Sequence, residues 1–331
     1  MSKDQITIQR EALTDELMAL YLASTMSRGA AGREAIEWRF AHTHDPFFVG
    51  RIGGEVMGVM GYLNLDMEFD GVAGRALHAV DGFVSERARG KGLFTRFGAA
   101  YHVHAADIGA DLAWGFPNPV AGRVWFGRQG WTDFGTAPFL FKPLRAGYAL
   151  RKLGLGVDFP LSIGRDQGLE PVAEIGDWVD QCWAGFARSV RVATRRSAAY
   201  LDYRLMQGPM APEYRVVAHA GHTAFVATRQ TEKHGGRIGY VMEAFGEPDD
   251  VTGVLISETA RMRSLGTEVA LAWCHPWQPN YKAIRRAGFL PLPRRFRPVE
   301  ILHGGRAFSP VAAPAIRPRT WYLSYLDSDT V

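Results

Sequence analysis

The sequence predicts an α+β protein of two tandem domains that share one order of elements. Three observations lead there. A strand-like run ends in a basic, glycine-punctuated turn that opens a helical run, Val84 to Phe94 (VSERARGKGLF). A second strand and a second helix follow between Asp111 and Arg128. A skeleton of landmarks from the first half then recurs in the second. At 331 residues the chain exceeds one ordinary domain, for which about 100–200 residues is usual.

Leu77 to Val84 (LHAVDGFV) is mostly apolar and reads as a strand. Leu93, Phe94, Phe97, Ala100, Tyr101, Ala105 and Ile108 recur at helical spacing, so a helix starts after Gly92 and ends near Gly109. Gly90 and Gly92 therefore sit at a helix N-terminus. There the first N–H groups lack intrahelical acceptors, the helix dipole is positive, and glycine lets a ligand approach the backbone, which favours an anion such as a pyrophosphate. Two commoner phosphate loops do not fit. A P-loop needs Ser or Thr directly after Gly-Lys, where Gly92 stands, and a dinucleotide-binding fingerprint needs a third glycine where Thr95 stands.

Asp111 to Phe116 (DLAWGF) reads as the next strand, followed by Pro117-Asn118 and a helix from Pro119 to Arg128 that closes at Gly130-Trp131. The Arg-x-x-Gly-x-Gly from Arg87 to Gly92, with Asn118 opening the next helix, Ala121 one turn in and Gly130-Trp131 at its end, resembles the GNAT superfamily of N-acetyltransferases. The matching order covers roughly 55 residues.

The resemblance implies that each domain is a mixed, mostly antiparallel sheet flanked by helices. It also implies an acyl-CoA-dependent N-acetyltransferase that moves an acetyl group from acetyl-CoA to a primary amine of a small molecule. Backbone N–H groups from Arg89 to Phe94, including Gly90, Gly92 and Leu93, would cradle the diphosphate, with Arg87, Arg89 and Lys91 adding positive charge. The backbone at Phe83 and Val84 would pair with the pantetheine arm. Asn118 would reach that arm or serve only as a helix N-cap. The acceptor amine attacks when neutral, so a general base is expected. His78 and Asp81 are the candidates, each also readable as a structural residue. A bulge in their strand would reset the alternation of faces. Where the family often places a Tyr to protonate the leaving thiolate, this chain has Trp125, so the general acid is unassigned. That departure keeps open a non-catalytic acyl-CoA-binding or partner-binding module.

In the first half Trp38-Arg39-Phe40 precedes Phe48-Val49, Gly53-Gly54 and Val56 to Met60; in the second Tyr203-Arg204-Leu205 precedes Tyr214-Arg215-Val216, Gly221 and Thr223 to Ala227. Asn280 and Gly288-Phe289 repeat Asn118 and Gly130-Trp131. After the strand Arg237 to Phe245, however, the second copy lacks the glycine motif and carries Glu247, Asp249 and Asp250 instead. Those carboxylates suit a helix dipole and repel a pyrophosphate. The expectation is one acyl-CoA site, in an N-terminal domain over 1–145, then a linker over 146–166 and a degenerate domain over 167–331 with a substrate or structural role.

Composition bounds the rest. Hydrophobic residues at 47% and charged residues at 22% predict ordered cores. The N-terminus lacks the apolar core of a signal peptide and no run reaches membrane-spanning length, so a cytoplasmic protein with no membrane partner is expected. A net charge of +4 does not imply nucleic acid. Cys182 and Cys274 are too few for a disulfide framework and read as core residues. His42 with His44 and His102 with His104 lack the companions that a metal site needs, so no metal is expected. Arg294, Arg295 and Arg297 read as a solvated edge or an anion contact, and Arg319 to Asp327 reads as a closing strand. Aromatic and arginine content favours an amino sugar, or a nucleotide-linked one, as acceptor. Oligomeric state is not encoded in any visible pattern.

Overall fold

The computed structural model describes residues 5–23, 32–161, 164–233, 235–297 and 299–328, except for the side chain of Lys152. The chain divides into two compact units, Met1–Ala137 with Val299–Thr320, and Pro138–Pro298 with Trp321–Val331.

The first unit contains β1 (Ile6–Glu11), α1 (Asp15–Ala23), α2 (Arg33–Phe40), β2 (Phe47–Ile52), β3 (Glu55–Phe69), β4 (Val72–Val84), α3 (Leu93–Asp107), β5 (Leu112–Gly115), α4 (Pro119–Arg128), β6 (Thr132–Thr136) and, late in the chain, β14 (Leu302–Ala307). Its strands run in the order β1-β2-β3-β4-β5-β14-β6. Every neighbouring pair is antiparallel except β4 and β5, which are parallel. Helix α3 buries Leu93, Phe97, Tyr101 and Ala105 on one face of the sheet against Phe48, Leu77 and Ala113. Helices α1 and α2 cover the other face with Leu17, Met18, Ile36 and Phe40 against Val49, Val59 and Leu63. Burying each of the Leu, Ile, Val, Phe and Met side chains among them contributes about 1.5–3 kcal/mol.

The second unit contains β7 (Phe139–Pro143), α5 (Gly147–Lys152), α6 (Trp178–Ala187), β8 (Val192–Thr194), α7 (Ala198–Asp202), β9 (Tyr214–Ala218), β10 (Ala224–Lys233), β11 (Gly236–Gly246), α8 (Pro248–Ser264), β12 (Val269–Trp273), α9 (Tyr281–Arg286) and β13 (Leu290–Pro291). Its sheet runs β13-β7-β12-β11-β10-β9, again antiparallel but for one parallel pair, β11 and β12. The succession β4-α3-β5-α4 thus recurs as β11-α8-β12-α9. Both units are mixed, mostly antiparallel sheets flanked by helices.

The units do not follow the contiguous division at 145 and 167. Strand β14, expected in the C-terminal domain, enters the first sheet between β5 and β6, whereas β7, expected in the N-terminal domain, lies between β12 and β13 of the second. The expected linker over 146–166 is part of the second unit: α5 is anchored where Asp158 accepts from the Gly147 N–H at 2.8 Å and where Arg151 reaches Glu268 at 2.6 Å. Its residues 162–163 lie outside the described residues. The expected closing strand is also replaced, because beyond Thr320 the described residues make one bridge, Trp321 to Val192, and a short 3-10 turn at Tyr325–Asp327. Its aromatic alternation comes from packing: Tyr322 and Tyr325 are both buried.

Strand β14 fits because it carries two adjacent glycines. A Cβ at Gly305 would lie 2.5 Å from the Ala113 carbonyl oxygen, and one at Gly304 would lie 2.7 Å from that of Thr132. Gly305→Ala is expected to cost about 1–3 kcal/mol through overpacking. Gly253→Ala, inside α8 with nothing among the described residues within 4 Å of the new methyl, is expected to gain about 0.5–1 kcal/mol. Calorimetric midpoints moving in the same direction for the two variants would contradict this account.

Among the described residues no helix is long and apolar enough to cross a membrane, and no group of three or more His, Cys, Asp or Glu side chains is placed to hold a metal ion.

Candidate functional site

Strands β4 and β5 pair only from Ala76–Leu112 to Ala79–Gly115. Beyond that point β4 continues to Val84, while β5 ends and the chain turns through Pro117 to Asn118. The main chain of residues 80–84 is therefore left with no β5 partner on that side; on the other side Phe83 and Val84 pair with Val59 and Gly58. A side chain at Gly115 would sit 2.9 Å from the Ala79 carbonyl oxygen, so glycine keeps the strands together up to the parting point.

A β-bulge lies in this free stretch. The β3–β4 register passes from Val59–Phe83 to Gly61–Val80, leaving Asp81 and Gly82 opposite Met60, with Asp81 at φ 50°. The bulge resets the alternation of faces. Leu63 and Val80 belong to the α1/α2 side and Ala79 to the α3 side, and a side chain at Gly82 would meet Phe94 of α3. His78, in register with Leu63, lies on the α1/α2 side, and the Asp81 carboxylate turns to the same side to pair with Arg39 of α2 at 2.8 Å. Strict alternation would have placed the two on opposite faces.

His78 is 5% exposed, its ring stacked on Trp114 at 4.2 Å with an interplanar angle of 7°, and Phe116 meets its edge. Trp114 and Phe116 also contact His303 of β14, which is buried. Tyr21 of α1 is buried nearby, its phenol pushed well above its ordinary range by burial first and then by the Asp81 charge. Nothing in the sequence marks Arg39, Tyr21 or His303 as members of a site: Arg39 reads as a repeat landmark, and His303 reaches this sheet on β14, remote in sequence from β4 and β5.

The glycine turn begins as a single 3-10 turn, Glu86–Ala88. Within it the Arg89 N–H donates to Glu86 and the Lys91 N–H to Ala88, at 3.2 and 3.3 Å. Gly90 and Gly92 have φ of 80° and 78°, a left-handed conformation that glycine adopts without a Cβ penalty. Gly92 caps α3, and no side chain of the described residues completes that cap. Among the described residues the N–H groups of Gly90, Gly92, Leu93, Phe94 and Thr95 find no acceptor within the protein. Of the expected Arg89–Phe94 cradle, two amides are therefore spent inside the turn, and Thr95 adds one. The Leu93 and Phe94 side chains pack inward, Phe94 against Trp125 at 5.7 Å, leaving only their amides to face outward. Arg87 pairs with Glu55 at 2.6 Å and Arg89 with Glu86 at 3.0 Å, all four exposed, while Lys91 makes no ion pair among the described residues. Such exposed pairs are worth about 0–1 kcal/mol and yield readily to a stronger anion.

Asn118 is an N-cap: its Oδ1 accepts from the Val120 and Ala121 N–H groups at 3.0 and 2.9 Å. Its side chain is exposed and its Nδ2 group is not used in the cap. Trp125 is buried against Trp131 in the core. His102 accepts from the Trp131 indole at 2.9 Å and His104 bonds the Tyr62 hydroxyl at 2.9 Å, so both have structural partners.

The corresponding place in the second unit is filled. Strands β11 and β12 part after Val241–Ala272, and a register shift beside Val241 repeats the bulge. Here, however, Asn280 donates to the Ala244 carbonyl at 2.6 Å and accepts from the Cys274 thiol. Tyr322 adds its hydroxyl to Ala244, and Gln278 donates to Leu323. Beside them Arg196, fully buried, pairs with Glu243 at 2.6 Å and Asp327 at 2.7 Å. At the start of α8, Pro248 lacks an N–H and the Glu247 N–H is spent on Thr223. Asp249 and Asp250 occupy the first turn. Cys274 is buried, as expected, whereas Cys182 is only half-buried, its thiol pushed up to about 11, chiefly by burial and further by Glu247.

No family model and no curated protein sequence matches the chain. Solved structures do. A GCN5-related N-acetyltransferase from Anabaena variabilis matches with a TM-score of 0.65 at 10% identity, over 92% of this chain and 73% of that one. One from Kribbella flavida gives 0.64 at 14% identity, over 95% and 74%. The N-myristoyltransferase of Saccharomyces cerevisiae, solved with bound myristoyl-CoA, gives 0.59 at 12% identity, over 93% and 84%. Taken with the parted parallel strands and the glycine turn that opens α3, these likenesses establish that the chain has the GNAT fold.

Proposed function

We propose that this protein is an acyl-CoA-dependent N-acyltransferase with its single cofactor site in the first unit. The observation that carries the reading is the set of unsatisfied amides at Gly90 and from Gly92 to Thr95, set beside a strand edge freed where β4 leaves β5. Both features suit one ligand: a diphosphate for the amides, and an amide-bearing arm for the strand edge. Hydrogen bonds to a charged group contribute about 1.5–3 kcal/mol each.

In the transfer, a C–N bond forms as the C–S bond breaks. The amine must lose a proton and the thiolate gain one. A backbone N–H at the Asp81–Gly82 bulge is suited to stabilise the thioester oxyanion. His78 and Asp81 remain the proposed bases, and Asp81, ion-paired with Arg39, also fits a role in holding a cationic acceptor. Acetyl-CoA is the proposed donor and a small-molecule amine, such as an amino sugar, the proposed acceptor. The yeast N-myristoyltransferase, with its myristoyl-CoA, makes a longer acyl chain the variant to test.

Calorimetric titration with coenzyme A is expected to give one site per chain, and a stoichiometry near two would overturn the single-site reading. Removing the true base is expected to lower kcat by about 10²–10⁴ and to change its pH profile. If His78→Ala and Asp81→Asn both left that profile unaltered, neither would be the base. The burial of Trp125 where a hydroxyl donor would stand supports one rival, a binding module without turnover. Tight coenzyme A binding with no amine-dependent thiol release, across a panel of amines and donors, would decide for it.

A further inference from the structure

Lys142, on β7 of the second unit, is only 6% exposed. Its Nζ donates to the Thr259 hydroxyl of α8 at 2.7 Å, and that hydroxyl donates in turn to the Leu255 carbonyl. Among the described residues no carboxylate lies within ion-pair distance of it. The other charged groups facing it are cationic, Arg263 from α8 and Arg286 from α9. A buried ammonium without a counter-ion is costly, and lysine responds by giving up its proton. Burial, reinforced by Arg263, lowers the amine to about 8.

This amine is not sealed in. It lines a cavity of about 380 Å³, which opens at the surface beside Gly288 and is walled by Ile256, Ala287 and Leu290, with Arg286 at its rim. Gly288 holds the mouth open: a Cβ there would lie 3.3 Å from Lys142 Cε and 3.7 Å from Nζ. A neutral amine, an apolar wall and a guanidinium at the entrance together suit a small electrophile with an anionic group.

We propose that Lys142 is a reactive amine whose cavity takes a small aldehyde or ketone bearing a carboxylate or phosphate, and holds it as an imine. The neutral Nζ adds to the carbonyl carbon, nitrogen gives up its two protons, and the carbonyl oxygen departs as water, so no oxidant or other reactant is needed. Arg286, exposed and paired at the surface with Asp249 at 2.8 Å, exchanges that partner for the anionic group.

The test is reductive trapping on the full-length protein with glyoxylate and borohydride, with peptide mapping by mass spectrometry. At pH 7.5 Lys142 is expected to label roughly 10- to 100-fold faster than the exposed Lys282, with its rate inflecting near pH 8. Arg286→Ala is expected to slow trapping of glyoxylate several-fold and to leave that of uncharged acetaldehyde unchanged. Labelling of Lys142 no faster than Lys282, an inflection near that of an ordinary lysine, or equal slowing of both aldehydes would overturn the proposal. It stands apart from the acyltransferase reading, since trapping needs neither coenzyme A nor turnover.

Discussion

Gly92→Glu is expected to abolish coenzyme A binding while the protein stays folded. Gly92 sits at φ 78°, so any side chain there costs about 1–2 kcal/mol of backbone strain. No atom of the described residues lies within 4 Å of the new Cβ, so there is no added clash. A carboxylate beside the start of α3 recovers about 0.3–1 kcal/mol from the helix dipole, which leaves a net cost small enough for the fold. For the ligand the same charge is prohibitive, because it sits among the amides that would meet the diphosphate. Titration is expected to show affinity reduced at least ~100-fold, roughly 2.7 kcal/mol, with the circular dichroism spectrum unchanged. Wild-type affinity in this variant would show that the turn opening α3 is not the cofactor site.

Arg196→Met is expected to produce the largest loss of stability of any single substitution considered. Arg196, Glu243 and Asp327 are all buried, and the guanidinium also donates to the Thr194 carbonyl at 2.9 Å and to the Ser324 hydroxyl. Removing it leaves two buried carboxylates without their cation. Breaking such a pair typically costs about 3–5 kcal/mol, far more than the intact pair contributes, because the desolvated charge is left uncompensated. Adding Glu243→Gln and Asp327→Asn to Arg196→Met removes those charges and is expected to recover part of the loss. The thermal midpoints should rank wild type, triple variant, single variant. A single variant that unfolds within a degree or two of wild type would show that the network contributes little.

The parts of the fold most legible in the sequence are those whose signals are local. Helix α4 spans Pro119–Arg128 as the spacing predicts, because Asn118 caps it and Pro119 fits its first turn. The turn from Arg87 to Gly92 is legible because left-handed conformations at two positions call for glycine. Strand β14 was hidden: its two glycines mark close approach by neighbours far away in sequence, and they erase the alternation that announces a strand. Arg196, Glu243 and Asp327 look like surface charges one at a time, and only their mutual proximity lets all three be buried. In the candidate site the sequence allows a bulge in β4, but its place at Asp81 and the pairing of Asp81 with Arg39 depend on the packing around them. Which amides in the turn remain available also depends on internal bonds to Glu86 and Ala88 that no motif encodes.

Because β14 begins only at Leu302, long after β6 ends at Thr136, the first sheet waits during synthesis with an empty slot between β5 and β6. At about 5–20 residues per second, the ribosome takes on the order of 10–30 s to supply the missing strand. For that time two unpaired edges are exposed to neighbouring nascent chains, a hazard that folded proteins otherwise blunt. A gene shortened before residue 302 would make the exposure permanent, so expressing the first half alone should yield aggregates.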